Sequence, residues 1–548
     1  MSDVEVPVLI VGGGMSGLAA ALFLRQHGVD CLLAERNTTT SQLLRSTHVS
    51  PRTMELFRTV GIQQVVWDVA EKVVPGMYWS RQDLPPRQLP RAILRAGSLA
   101  DVVAGDIVVM EEGINQFTNI GPCEPVWCGQ DKVEPIMLRE AAERGARVGF
   151  NTEMLQYTHD PDGVTAVLRD RGTGEKITVR ARYLIAADGA GGSIRTTEGI
   201  GRSGRGTVGH VLNVLFKADL DAILGGRRFL ILYLTNHQAS GMLFKLDNER
   251  WIFGLFCGPD DIVEGKISHD ECAELIRTAT GEPDLAIDIH TTMGWWMAHE
   301  VADSYRSGRV FLVGDACHVL PPTGGFGANA GVQDANNLAW KLAGVLNGWA
   351  GEELLETYEA ERLRVGRETA DQAWLRHMRW SGPQDGATDP QRDQTVVTTA
   401  YRYTSRAVVG EPFPEAFGHD LTIDGRPGMR VPHVWLTLGE RRVSSVDLAG
   451  DAFALIAGAD GAPWAEAARE AAADSGIPLR AHVLDRAGDP ADPAGEFAAA
   501  AGIGRSGALL VRPDSFVAWR AVGPSADTGP MVRGVLSAVT GRGVGAAI

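Results

Sequence analysis

The chain is 548 residues long and 44% hydrophobic, with a formal net charge of -16. That length exceeds what one core usually serves, so two or three domains are expected. The acidic balance disfavours nucleic acid, whose phosphates need a basic surface, and neither a membrane-length apolar run nor a basic leader is present, so a soluble cytoplasmic protein is expected.

Val8–Val11 is a continuous apolar run met at once by glycines, which predicts a buried parallel strand. Met15–His27 predicts a helix stopped by Gly28, and Asp30–Glu35 a second strand. Between the first two lies Gly12-x-Gly14-x-x-Gly17: Gly12 permits a tight turn, Gly14 lets backbone approach a pyrophosphate, and Gly17 lets helix and strand pack closely. The helix N-terminus then offers unpaired N–H groups to phosphates. Glu35 stands 18 residues past Gly17, where an acid accepts hydrogen bonds from a ribose. Glycine motifs recur by chance in a chain with 65 glycines; strand, helix and acid together favour a dinucleotide, without separating FAD from NAD.

Residues 75–127 are rich in Pro, Gly and aromatics and predict an excursion into another sheet. Tyr183–Ala187 predicts a further buried strand, left through Asp188-Gly189-Ala190-Gly191-Gly192-Ser193, which alone is an ordinary Asp-Gly turn. From Val211 to Phe256, short β-type runs separated by turns predict an antiparallel sheet. Alternation puts Met242 and Phe244 on one of its faces; with Trp295 and Trp296 they are candidate pocket walls, although such residues are more often plain core.

Arg309–Val313 predicts a buried strand ending at Gly314-Asp315, where an aspartate can bond a polyol. The stiff Pro321-Pro322 pair follows, then Thr323-Gly324-Gly325-Phe326-Gly327-Ala328-Asn329, whose glycines expose backbone N–H groups. A helix over Val332–Asn347 turns its positive end back on that loop, an arrangement that stabilises an anionic ring. Ser381–Gln394 predicts a loop or linker. From about Leu421 the pattern restarts: strand-like Phe453–Ile456, helical Ala465–Ala473, strand-like Leu479–Leu484, and a hairpin of Ala508–Arg512 with Phe516–Arg520. The six cysteines, Cys31, Cys123, Cys128, Cys257, Cys272 and Cys317, lack CxxC spacing, so neither a disulfide framework nor a metal site is indicated.

These three glycine-rich segments, in this order and spacing, resemble the class A FAD-dependent aromatic hydroxylases with the p-hydroxybenzoate hydroxylase fold, on the bacterial aromatic polyketide hydroxylase and phenol hydroxylase-like branch. The stretch Gly314–Leu342, ending Gln333-Asp334-Ala335-Asn336-Asn337-Leu338-Ala339-Trp340-Lys341-Leu342, is its most specific part. The resemblance implies an α/β protein: a Rossmann-like FAD-binding domain in three parts (1–74, 128–200, and 305–380 with following helices), an interleaved antiparallel-sheet substrate domain (75–127 and 201–304), a linker or helical segment (381–420) and a thioredoxin-like C-terminal domain (421–548). Pro427-Gly428-Met429-Arg430-Val431-Pro432-His433 and Leu510-Val511-Arg512-Pro513-Asp514 carry the likeness of that tail. No cysteine follows Cys317, so the tail lacks redox cysteines and reads as structural or as a homo-oligomer contact.

The resemblance further implies FAD as cofactor, NADPH or NADH as transient reductant, and hydroxylation of a phenolic, polycyclic polyketide by dioxygen through a flavin hydroperoxide. Glu35 would bind the adenosine ribose, with Arg36 beside it; Arg45 would lie near the pyrophosphate and flavin, and Gln130 near the ribityl chain. Asp188 and Gly189 match a motif shared by FAD and NADPH binding. Asp315 would contact the ribityl chain, Pro322 the substrate and flavin ring, and the amides of Ala328 and Asn329 the pyrimidine carbonyl, with Gly314, Gly325 and Gly327 shaping the loop. Arg45 and Pro322 are the candidate catalytic residues; the phenol-deprotonating base is unassigned among His210, His237, His290, His299 and His318, and Arg195, Arg202 and Arg205 are candidate NADPH contacts. Two positions depart from the pattern: Phe326 stands where some relatives carry a basic residue, and Gly192 where they carry a small polar one. Baeyer–Villiger oxidation by the same chemistry and a flavin-binding sensor are the competing readings. A halogenase is disfavoured because Gly294-Trp295-Trp296-Met297-Ala298-His299 lacks the Gly-Trp-x-Trp-x-Ile-Pro spacing.

Overall fold

The computed structural model describes residues 3–41, 46–73, 93–111, 120–225, 227, 229–246, 249–263, 265–381 and 391–542. The first apolar run forms the strand Val4–Val11, paired in parallel with Cys31–Ala34 on one side and Lys176–Ala186 on the other. Val310–Leu312 and Arg147–Gly149 extend the sheet, also in parallel. Val8, Leu9 and Ile10 are all buried, as a strand covered on both faces requires. The helix Met15–Gln26 packs on this sheet, and Gly28 leaves it with φ +74°, a left-handed conformation that suits glycine. A hairpin, Thr152–Asp160 with Gly163–Asp170, adds antiparallel to Lys176–Ala186.

A second eight-stranded sheet runs in the order His318–Val319, Asp288–Ala302, Arg202–Lys217, Arg250–Cys257, Ser240–Lys245, Ile231–Thr235, Ile93–Ala96, Val108–Glu111. Its pairs are antiparallel except Ile231–Thr235 with Ile93–Ala96, which is parallel and so departs from the expected pattern. Those two strands come from separate excursions, and no hairpin dictates their relative direction. Val126–Trp127 does not join this sheet. It pairs with His48–Val49, and Cys123, Val126 and Cys128 are buried in the first core, so the excursion turns back before residue 127.

One face of the second sheet buries Leu94, Leu212, Leu232, Leu243 and Phe253 with residues of the helices Leu99–Ala104, Leu220–Leu224 and His269–Thr280. The opposite face gathers Ile93, Val211, Tyr233, Met242 and Met297, with Trp380 from the helix Glu356–Ser381.

The third sheet is thioredoxin-like: Leu479–Val483 parallel to Phe453–Ala457, then Ala508–Val511 and Val517–Ala521 antiparallel, with the helices Ala462–Ser475 and Thr528–Val539. It shares a core with the rest of the chain, where Trp340 meets Phe453 edge-on at 5.7 Å. Among the described residues no helix is long and apolar enough to cross a membrane, and no group of three or more His, Cys, Asp or Glu could hold a metal ion.

Candidate functional site: a dinucleotide crevice beside an apolar chamber

The crevice is built by backbone that only glycine allows. Gly12 has φ +107°, and a side chain there would run into the Ala187 carbonyl; one on Gly17 would run into the Gly12 carbonyl. Gly14 caps the helix Met15–Gln26 without a side-chain hydrogen bond, and no acid sits in the first turn, so the first N–H groups stay available to an anion. Glu35 ends its strand buried. Its Oε2 accepts from Gly13 N–H at 2.6 Å, and its Oε1 from the Asn37 backbone N–H at 2.8 Å and side-chain amide at 2.7 Å. The Arg36 side chain is exposed, and Arg45 lies outside the described residues.

Gln130 donates to Glu134 Oε1 at 2.5 Å, and Glu134 Oε2 accepts from Ser41 N–H at 2.9 Å. This buried carboxylate, to which the sequence reading gave no role, ties the loop after the second strand to the helix Gln130–Glu143. A Cβ on Gly14 would stand 3.6 Å from Glu134 Oε1, an ordinary contact, so this carboxylate does not itself demand glycine there.

Asp188 lies where the strand Lys176–Ala186 ends. Its Oδ2 accepts from Ile194 N–H at 3.1 Å, whereas Oδ1 is buried with no partner among the described residues. Burial pushes this carboxyl above its ordinary range. At Gly192 an added side chain would meet the Asp188 carboxylate, which would have to turn away to admit it. Arg202 reaches the Ala190 carbonyl at 3.0 Å and Glu300 at 3.2 Å, Arg195 bonds the Ile200 carbonyl, and Arg205 lies 5.1 Å over the Trp374 ring.

The strand Val310–Leu312 leads to Gly314, with φ +63°, whose N–H donates to Asp334 Oδ2 at 3.1 Å. Asp334 also holds His318 Nε2 at 2.8 Å and Arg362 Nε at 2.6 Å, all fully buried. Burial pushes the Asp334 carboxyl up, but Arg362 and His318 outweigh it and hold it below the ordinary range. His318 is therefore spent on structure. Asp315, by contrast, is exposed, and a Cβ on Gly327 would stand 4.0 Å from its Oδ1.

The helix Gly327–Leu346 starts earlier than the expected Val332, because its first turns are small residues without apolar periodicity. Phe326 caps it with no side-chain bond and the first turn holds no acid, so a second positive helix end is open. Pro322 is exposed, and its carbonyl accepts from Gly325 N–H at 3.0 Å. Asn329 fixes the loop: its Nδ2 donates to the carbonyls of His48 at 2.9 Å and Gly325 at 2.8 Å, and its Oδ1 accepts from Ser50 N–H at 2.8 Å. Phe326 is buried with Arg376 5.1 Å over its ring.

Sequence reading missed His48. It is 8% exposed, neither ring nitrogen has a partner among the described residues, and a Cβ on Gly325 would stand 3.4 Å from its Nδ1. Burial pushes the imidazole down to about 4, so it is neutral. Its strand is two residues long and its partner Trp127 is distant in sequence, so no local signal marks it.

Of the four expected wall residues, the structure brings together Met242 and Trp295, in the cluster of Val211, Tyr233 and Met297. Phe244 shares their face but packs further along, with Leu215, Leu246 and Ile252. Trp296 does not belong to this wall. Trp295 pairs with Val211 and Trp296 with His210, so Trp296 takes the opposite face, where it is 43% exposed. His237 and His290 are exposed, and His299 is bonded to Asp371 at 3.1 Å. The wall adjoins the glycine loop through the helix Glu356–Ser381. Thr323 Oγ1 donates to the Ala373 carbonyl at 2.6 Å, and Trp380 enters the wall two turns on, about 10 Å along the helix.

Two open helix ends, the Glu35 carboxylate and an orphaned carboxylate oxygen at the second strand end fit an extended dinucleotide, and an apolar wall adjoins them. Residues 5–373 match the family described as FAD binding domain, and 424–543 that described as aromatic-ring hydroxylase, C-terminal. The chain is 49% identical to tetracenomycin A2 monooxygenase-dioxygenase of Streptomyces glaucescens over 99% of this chain and 98% of that one. It superposes with TM-score 0.87 and 36% identity on a ternary complex of aklavinone-11 hydroxylase with FAD and aklavinone, covering 99% of this chain and 100% of that one. The flavin-dependent monooxygenase PieE, in complex with FAD and substrate, gives TM-score 0.85 and 30% identity over 99% and 100%. The chain belongs to the FAD-dependent aromatic-ring hydroxylases. It is a flavoprotein monooxygenase with FAD as its cofactor.

Proposed function

We propose that the substrate is a flat, phenolic, polycyclic polyketide, hydroxylated at the expense of NADPH and dioxygen in the cytoplasm. The observation that carries this reading is the wall of Tyr233, Met242, Trp295, Met297 and Trp380, broad and apolar, set one helix away from the loop that would hold the isoalloxazine ring. The relatives named for tetracenomycin A2 and aklavinone support the same class. Bound FAD supplies the activation of dioxygen with electrons from the nicotinamide.

The chain supplies the rest. The open ends of Met15–Gln26 and Gly327–Leu346 stabilise negative charge on the pyrophosphate and on the ring, Glu35 and Asp315 bind the two sugar-like portions, and the apolar wall keeps water from the reacting centre. Arg202, close to the Asp188 loop and the Asp315 carbonyl, supports a cationic approach for the nicotinamide nucleotide. Six free cysteines fit a reducing compartment.

The test is NADPH consumption by purified holoprotein against simple phenols and against anthracyclic and angucyclic polyketides, with peroxide measured alongside. Substrate-stimulated consumption with low peroxide is expected only for the polycycles. Equal coupling to monocyclic phenols would overturn the substrate class, and NMR of the product distinguishes hydroxylation from ring-oxygen insertion.

A further inference from the structure

One face of the second sheet holds three polar atoms that no protein group satisfies: Asn213 Oδ1, Trp295 Nε1 and Trp380 Nε1 are buried without a hydrogen-bond partner among the described residues. A buried polar group left unpaired suffers its full desolvation penalty, so a cluster of them beside an apolar chamber points to a ligand that completes the bonding.

Strand register puts Asn213 and Trp295 on this face, and Trp380 reaches it from the helix Glu356–Ser381. Tyr233 lies opposite Met242, Met242 opposite Gly254, and Gly254 opposite Asn213, a single row crossing four strands, about 14 Å wide. Trp295 pairs with Val211, two residues from Asn213 on the same face, and Trp380 leans on Tyr233 with ring centroids 6.1 Å apart. No side chain rises from the middle of the row, and its neighbours close over it: a Cβ on Gly254 would stand 3.1 Å from Asn213 Oδ1 and 3.2 Å from Met242 Cγ, so glycine lets the amide lie close against the sheet.

Resting on the substrate class proposed above, we propose that Asn213 is a specificity-determining residue: its amide bonds an oxygen substituent of a planar polycycle lying over Gly254, while the indole N–H groups of Trp295 and Trp380 bond acceptors on the ring edges. A side-chain amide offers a donor and an acceptor together, which matches a phenol beside a ring ketone. Asn213 acts on binding and orientation and takes no covalent part.

The test uses the FAD-loaded full chain and two probes, 1,8-dihydroxyanthraquinone and anthraquinone, with binding read from the perturbed flavin absorbance. Wild type is expected to bind the dihydroxy compound at least about tenfold more tightly, the discrimination that one buried hydrogen bond supplies. Asn213→Leu should bring the two affinities to within about twofold while FAD occupancy and Tm stay unchanged. Gly254→Ala, which keeps the amide but crowds it and Met242 out of place, should weaken both probes. Full discrimination in Asn213→Leu, equal binding of both probes by wild type, or unchanged affinities in Gly254→Ala would each overturn the assignment. Wild type that holds FAD but binds neither probe would overturn the substrate class itself, and this assignment with it.

Discussion

Asp315 and Asp334 lie 19 positions apart on either side of the glycine loop, and their surroundings divide their work. Asp315 is exposed at a strand end facing the start of the helix Gly327–Leu346, whereas Asp334 is buried with Arg362 and His318. Asp315→Ala is therefore expected to lose most of its FAD while the unliganded protein keeps its Tm, read as flavin absorbance per chain after gel filtration beside a thermal melt. Full FAD occupancy in that variant counts against the assignment. Asp334→Ala strands a buried guanidinium and should cost about 3–5 kcal/mol of stability.

His48 gives a pH signature at the same scale. Its imidazole, pushed down to about 4 by burial, is neutral in the folded chain, while the unfolded chain titrates near 6.5. Between those values the unfolded state binds the extra proton, so stability falls as pH drops from about 6.5 towards 4, by roughly 3 kcal/mol at the lower end for a group that is 8% exposed. His48→Leu should remove that loss: its Tm should rise relative to wild type as pH falls through this window, and a difference independent of pH would refute the account.

At the scale of elements, the helices Met15–Gln26 and Gly327–Leu346 bring their open N-terminal ends into one site because they cross closely. Side chains on Gly314 or Gly331 would both run into Ser16. Gly331→Val should therefore force the helices apart, at a cost of about 1–3 kcal/mol, and weaken FAD binding. Gly348→Ala, where a Cβ meets nothing within 4 Å, tests for strain alone and should leave FAD binding intact.

The elements around these glycines were legible because each announces itself locally: a continuous apolar run, a glycine turn, an acid at a strand end. Pairing partners were not. Asp288–Ala302 mixes polar and apolar residues without clear alternation, and its register against Arg202–Lys217 shifts at three irregularities. Nothing local therefore separated Trp295 from Trp296, although adjacent strand residues must face opposite ways. His48 and Asn213 likewise acquire meaning only from residues far away in the chain.

At the scale of the whole molecule, the tail that reads in sequence as a separate unit is fastened to the cofactor helix by a buried ionic cluster. Arg512 holds Glu361 at 2.6 Å and Asp514 at 3.0 Å, and Glu361 in turn holds Lys341 at 2.8 Å and Asn337 at 2.7 Å. Burial pushes the Glu361 carboxyl up, but Arg512 and Lys341 outweigh it and keep it ionised, while burial draws Lys341 down to about 8. Lys341 and Asn337 belong to the helix whose other end faces the flavin loop, so loosening the tail should loosen the cofactor site. Arg512→Met leaves the Glu361 and Asp514 carboxylates buried without their guanidinium and should cost about 3–5 kcal/mol, whereas Arg505→Ala breaks only the exposed pair with Asp460 and should leave stability essentially unchanged. Melts followed by circular dichroism and by flavin fluorescence should show FAD release and unfolding coinciding in wild type and in Arg505→Ala, and both moving to lower temperature together in Arg512→Met. If the tail of Arg512→Met instead melted first, with FAD still bound, the tail would be an appendage rather than a brace of the cofactor site.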